Sequence, residues 1–248
     1  MSTTIVYTTE NRINEELANF CRKNLLITSE GKRIISISQK PLDFGDNTCM
    51  DWLPYHWSSI YEQMYEGLKN VKTKYVAIVE HDCLYTPEHF NWIPPDDSIF
   101  YYNHHLWFLQ WGGRRHGTYS RMKERNPVTS QMLCSANLMK EYFGERVFLV
   151  KNGIELLKKD GILNPDETQV FNKLKQLPLM SDNKRMDLIK ILDIHEKKFK
   201  LGRFDNKLPN IDIRHKGNYT GGRMAGNKCL KLPYWGSIED IVKMNDSA

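Results

Sequence analysis

An apolar centre flanked by β-branched threonines, TTIVYTT (3–9), reads as a strand. The next stretch, NEELANFCRKNLL (14–26), places Leu17, Phe20, Cys21 and Asn24 at helical spacing. RIISIS (33–38) returns to a strand pattern, and QKPLDFGDNTCM carries the loop markers Pro41 and Gly45. In WSSIYEQMYEGLKNV (57–71), Ile60, Met64 and Leu68 share one helical face. KYVAIV (74–79) is short and almost wholly apolar, the kind of strand that is buried on both faces. Strand, helix, strand, helix, strand predicts an α/β layer built on a parallel sheet.

The second half is less periodic. SIFYYNHHLWFLQW (98–111) reads as one β-prone run, and GGRRHGTYSRMKERNP (112–127) as a glycine-rich, basic, mobile loop. LCSANLMKEYF and RVFLVKNGIELLKKD read as helices, and NPDETQVFNKLKQL (164–177) as a helix with a well-marked start. Beyond Leu179 the chain turns basic and irregular, with a strand at NIDIRH (210–215). No repeat or low-complexity linker divides it, which predicts one domain over 1–248.

Composition narrows the class. The chain has 248 residues, 40% hydrophobic and 26% charged, the make-up of a soluble globular protein. No apolar run is long enough for a membrane span, and the N-terminus has no basic region followed by an apolar one. A cytoplasmic protein is expected. Five cysteines, odd in number, widely spaced and without a C-x-x-C, point to free buried thiols. Residues 183–231 hold 13 Lys/Arg against five acids, a surplus of +8, and the rest of the chain sums to −3. A basic final quarter suits an anionic partner, a diphosphate or a nucleic acid, although a solvated face would look the same.

Four stretches could carry chemistry. YVAIVEHDCLYTP (75–87) runs a buried strand into Glu80-His81-Asp82. Continued extension would turn Glu80 and Asp82 to one target and His81 to the other side. Two hard carboxylates suit Mg²⁺ or Mn²⁺, and ligands bind beyond the carboxyl ends of such strands. IDIRHKGNYTGGRM (211–224) brings Arg214, His215 and Lys216 to glycines 217, 221 and 222, whose amides could approach phosphate. NPDET (164–168) offers Asp166 and Glu167, one of which could deprotonate a hydroxyl, while Asn164, Pro165 and Glu167 also make a capping-box start. Trp107, Phe108, Trp111 and Tyr119 lie among Arg114, Arg115 and Arg121, a mixture that suits a sugar face or single-stranded nucleic acid as well as a core strand beside a solvated loop.

The first strand with its open loop, IISISQKPLDFGDN, and the strand ending in an acidic triplet together resemble the GT-A fold of nucleotide-sugar glycosyltransferases. QKPLDFG and LYTPEHF also look like the small glycosyltransferases of bacteriophages, some of which modify hydroxymethyl-pyrimidines in DNA. The resemblance implies a Rossmann-type mixed sheet flanked by helices, with an irregular basic C-terminal lobe. It implies a nucleotide-sugar-binding half at 1–97 and an acceptor-binding half at 98–248. The D-x-D motif of that fold falls on Glu80 to Asp82, with Glu80 in place of the first Asp. Asp82, His215 and Glu80 are then the expected ligands of Mn²⁺ or Mg²⁺. Thr8, Thr9, Glu10, Asn11, Gln39, Lys40, Asp43, His81, Arg214 and Lys216 would hold the donor, a UDP-sugar. Asp166 or Glu167 would be the base of an inverting reaction. Trp107, Trp111, Arg114 and Arg115 would meet the acceptor, for which DNA is one candidate. A metal-dependent nucleotidyltransferase or nuclease and a non-enzymatic nucleic-acid-binding protein are the competing classes.

Overall fold

A computed structural model describes residues 3–54, 58–121, 128–159, 183–216 and 228–246. Its first strand, β1 (Thr3–Thr9), is buried along its whole length. The helix α1 (Glu15–Thr28) starts at Asn14, whose Oδ1 accepts the Leu17 amide proton at 3.1 Å. β2 (Ile34–Ser38) and β3 (Asp46–Cys49) follow, then α2 (Ser59–Lys69) and β4 (Tyr75–Glu80). These four strands lie parallel in the order β3-β2-β1-β4, so their carboxyl ends share one rim. The stretch read as a loop before Met50 ends in β3, an edge strand. Gly45 makes its entry possible: φ is +58°, and a Cβ there would sit 2.6 Å from the Ile34 carbonyl oxygen.

The apolar character of β1 and β4 has a direct cause. Val6, Val76 and Ile78 face a core shared with Met64 and Leu68 of α2. Ile5, Tyr7, Ala77 and Val79 face a second core containing Tyr85 and Phe90. Both faces are covered, so neither tolerates the polar half of an alternating pattern.

The sheet is mixed. β9 (Met132–Ser135) runs antiparallel between β4 and β6 (Ile99–Asn103), and β10 (Lys200–Phe204) adds parallel to β6, giving seven strands. A second, five-stranded sheet has the order β12-β8-β7-β11-β5, built from β5 (Cys83–Leu84), β7 (Leu106–Gln110), β8 (Tyr119–Arg121), β11 (Asn210–Arg214) and β12 (Lys228–Cys229). α3 (Pro87–Asn91), α4 (Ala136–Lys159), α5 (Asn183–Lys198) and α6 (Ile238–Asp246) complete the described elements.

Three expectations change in this half. The run 98–111 is two strands in different sheets, broken where the His105 amide donates to the Asn103 side chain at 2.9 Å. The basic loop 112–127 contains a 3₁₀ turn, Gly113–Arg115, and then β8. Leu133 to Ser135 are strand, and the two predicted helices after them are the single helix α4. In each case a tertiary partner decided what local pattern left ambiguous. The basic final quarter also supplies β10 to the first sheet, β11 and β12 to the second, and the helix α5.

Asn210 clamps the two sheets together. Its Oδ1 accepts from the Thr86 amide at 3.1 Å, and its Nδ2 donates to Gln131 Oε1 at 2.8 Å. A second clamp is the Ile213 amide, which donates to the Asp82 carbonyl at 2.8 Å. That bond lies at the rim where β4 ends.

Candidate metal centre

β4 stops at Glu80, and His81 and Asp82 form a turn before β5 begins. The strand therefore does not continue through the triplet, and the expected alternation fails. His81 comes to the same side as Asp82 instead of facing away. β11, paired with β5, delivers His215 from the other end of the chain. One donor atom each from His81, Asp82 and His215 lie within 4.8 Å of one another. Glu80 stands outside this trio; it sits opposite Thr8 in the β1–β4 register.

The imidazoles are oriented for ligation. His81 Nδ1 lies 3.5 Å from Glu10 Oε2. His215 Nδ1 lies 3.1 Å from the Lys216 carbonyl oxygen. An acceptor at Nδ1 favours a proton there and turns Nε2 toward the site, the arrangement that metal-bound histidines usually have. His215 Nε2 in turn faces Asp82 Oδ2 at 3.5 Å. Three convergent donors with their outer partners in place fit a divalent cation.

Charge accumulates around this point. Burial would raise the Asp82 carboxyl, but His215, His81 and Arg214 together hold it below the usual carboxylate range. For His215, burial works against the charged form and Asp82 outweighs it, so its pKa is raised. Burial, and after it the Asp82 charge, lift Glu80 to about 7. The same two causes push Asp212 well above the carboxylate range. Asp212 is the residue that sequence reasoning passed over. Its only signal is an acid between Ile211 and Ile213 in the middle of a β-prone run.

The other candidates divide. Thr8 and Thr9 are buried, and Thr9 Oγ1 accepts from the Asn11 amide at 3.0 Å. Asn11, at φ +58°, accepts the amides of Gln39 and Lys40 at 2.9 and 3.0 Å, which ties the loop after β1 to the loop after β2. Glu10 faces His81, and Asp43 is exposed on the β2–β3 turn. Arg214 donates to Asp212 Oδ2 at 2.9 Å and lies 4.1 Å over the Phe108 ring, while Lys216 is exposed. Trp107 and Trp111 pack on the core of the second sheet, Trp111 against Phe20 at 5.9 Å. Arg114 and Arg115 are exposed on the 3₁₀ turn. Asp166, Glu167 and glycines 217, 221 and 222 lie outside the described residues.

No protein-family model matches the chain, and no curated protein does. Among solved structures, it is similar to a glycosyltransferase involved in the glycosylation of the major capsid of PBCV-1. That match has 12% identity and a TM-score of 0.41, and covers 88% of this chain and 94% of the other. The apo-form glycosyltransferase GlyE of Streptococcus pneumoniae TIGR4 matches at 11% and 0.40, over 82% of this chain and 45% of that one. The bifunctional IspDF from Campylobacter jejuni matches at 8% and 0.39, over 84% and 50%. The chain thus spans about half the length of the last two. Likenesses this weak, with TM-scores near 0.4, decide neither family nor activity, which leaves the chemistry of the rim. Among the described residues, no helix is long and apolar enough to cross a membrane.

Proposed function

We propose that the chain is a divalent-cation-dependent glycosyltransferase that moves a sugar from a nucleotide-sugar, a UDP-sugar in the first instance, to a hydroxyl acceptor. One observation carries this reading. His81, Asp82 and His215 converge at the carboxyl rim of a parallel sheet, each imidazole with its Nδ1 already engaged. Mn²⁺ or Mg²⁺ held by these residues would neutralise the charge that builds on a departing diphosphate. The stitched loops at Asn11, Gln39 and Lys40 flank the same rim and suit the nucleoside. Lys216, next to His215, adds a cation for the phosphates.

The finer assignments continue this reading. Asp166 or Glu167 takes the proton from the acceptor hydroxyl in an inverting displacement, and Trp107, Trp111, Arg114 and Arg115 meet the acceptor. A hydroxymethyl-pyrimidine in DNA is the acceptor that the phage resemblance suggests; a glycan or small molecule is the alternative. Incubation with UDP-, GDP- and CMP-sugars and Mn²⁺ tests the proposal. Release of the nucleoside phosphate with sugar transfer supports it. Pyrophosphate release from a nucleoside triphosphate would establish a nucleotidyltransferase instead. Salt-sensitive DNA binding without affinity for any sugar nucleotide would leave only a binding protein.

Two imidazoles and one carboxylate are also the donor set of non-haem Fe(II) oxygenases, and that is the second reading which the trio supports. Oxygen consumption with Fe(II), and no sugar transfer with Mn²⁺, would favour it.

A further inference from the structure

The two imidazoles of the trio are held from different places. His215 leans on the carbonyl of its own neighbour, Lys216. His81 Nδ1 instead lies 3.5 Å from Glu10 Oε2, a carboxylate from the loop after β1. The pair is largely shielded, with side chains 12% and 23% exposed. Glu10 itself has little slack. Before it, Thr9 is fixed twice: buried Gln63 of α2 donates to its carbonyl at 2.9 Å, and its Oγ1 accepts the Asn11 amide at 3.0 Å. After it, Asn11 is at φ +58°, the left-handed region that Asn tolerates better than most residues. Its Oδ1 accepts the amides of Gln39 and Lys40 at 2.9 and 3.0 Å. With Thr9 anchored in the core, a displacement of Glu10 is passed to Asn11, one Cα step of about 3.8 Å away.

We propose that Glu10 is a positioning residue that couples the cation site at His81, Asp82 and His215 to the loop after β2. Ligation fixes the His81 ring. The ring, donating from Nδ1, fixes the Glu10 carboxylate, and Glu10 holds Asn11 where its Oδ1 meets the Gln39 and Lys40 amides. Such a link acts in both directions: a nucleoside held by these loops tightens the cation by the factor with which the cation tightens the nucleoside. The link rests on the cation reading above and makes Glu10 the partner of His81 rather than a contact of the donor. Its rival is a loop pair that is equally ordered with the site empty or filled.

The full chain is exchanged into D₂O with and without Mn²⁺ alone, then quenched and fragmented so that mass spectrometry reads the Gln39 and Lys40 amides singly. Free Mn²⁺, followed by electron paramagnetic resonance, sets the concentration that saturates each variant, and circular dichroism confirms that each folds. In the parent, Mn²⁺ should slow exchange at both amides by about fivefold or more. In saturated Glu10→Ala the ion should leave both rates unchanged. Glu10→Gln keeps an oxygen at the same reach without the charge, so it should slow them less than the parent does. Unchanged rates in the saturated parent, or parental slowing in Glu10→Ala, overturn the link. Slowing spread evenly over all amides overturns it too, as global stabilisation. If Glu10→Ala does not fold, Glu10→Gln decides: full parental slowing there overturns the link. A parent chain that binds no Mn²⁺ overturns both the link and the cation reading. Slowing as described without sugar transfer sinks the transferase alone.

Discussion

The rim around Asp82 and the aromatic core around His89 both bury histidine, and they treat it in opposite ways. His81 and His215 each have an acceptor at Nδ1. His89 is fully buried among Tyr85, Phe90 and Phe204, and neither of its ring nitrogens has a hydrogen-bond partner. Burial alone drops its pKa to about 3. At His215 the Asp82 carboxylate overrides burial and the pKa rises. A histidine in a sequence is therefore uninformative until its neighbours are known. What marks a candidate ligand is one nitrogen fixed and the other aimed at a carboxylate.

The comparison breaks most readily by exchanging effects. Asp82→Ala and His215→Ala should each lower turnover with a verified sugar donor by more than about 100-fold and leave the far-UV spectrum unchanged. Near-normal turnover in either variant would remove the rim from the chemistry. His89→Phe should leave turnover unchanged and stabilise the fold by about 1–3 kcal/mol in urea unfolding, since it deletes two unsatisfied nitrogens and keeps the ring. Loss of activity in His89→Phe would blur the distinction.

Proton linkage gives the two regions opposite signs. The depressed pKa of His89 means that the unfolded chain binds the proton first. Its contribution is complete above the unfolded value near 6.5 and is lost as pH falls from there toward 3. The raised pKa of His215 in the cation-free protein adds stability that is complete below 6.5 and is lost as pH rises through the higher folded value. A cation needs the neutral imidazole, so Mn²⁺ affinity should weaken as pH drops through that raised value. Urea titrations across pH 5–8, with His89→Phe and His215→Ala as controls, separate the two slopes; equal slopes in both variants would refute the assignment.

The smallest effect concerns the acceptor. If it is DNA, Arg114→Ala combined with Arg115→Ala should reduce the salt slope of DNA binding by about 2 without altering donor affinity. Equal loss of donor binding would move that turn away from the acceptor.

The first ninety residues were largely legible because β1, β2 and β4 have covered faces and α1 and α2 have one apolar stripe each. The break at His104–His105 was not, because β6 and β7 are equally β-prone and only their partners differ. At the site, Asp82 and His215 were readable as residue types at strand ends. The ligand-like placing of His81 was hidden by a turn that replaces an assumed strand.

The bond from the Ile213 amide to the Asp82 carbonyl has a consequence in time. It joins two points of the chain that are synthesised far apart. The strands that present His81 and Asp82 can pair early, but the centre has no second imidazole until residue 215 has left the ribosome. If the rim holds a cation as proposed, a growing chain carries it incomplete, and the affinity arrives only as the fold closes.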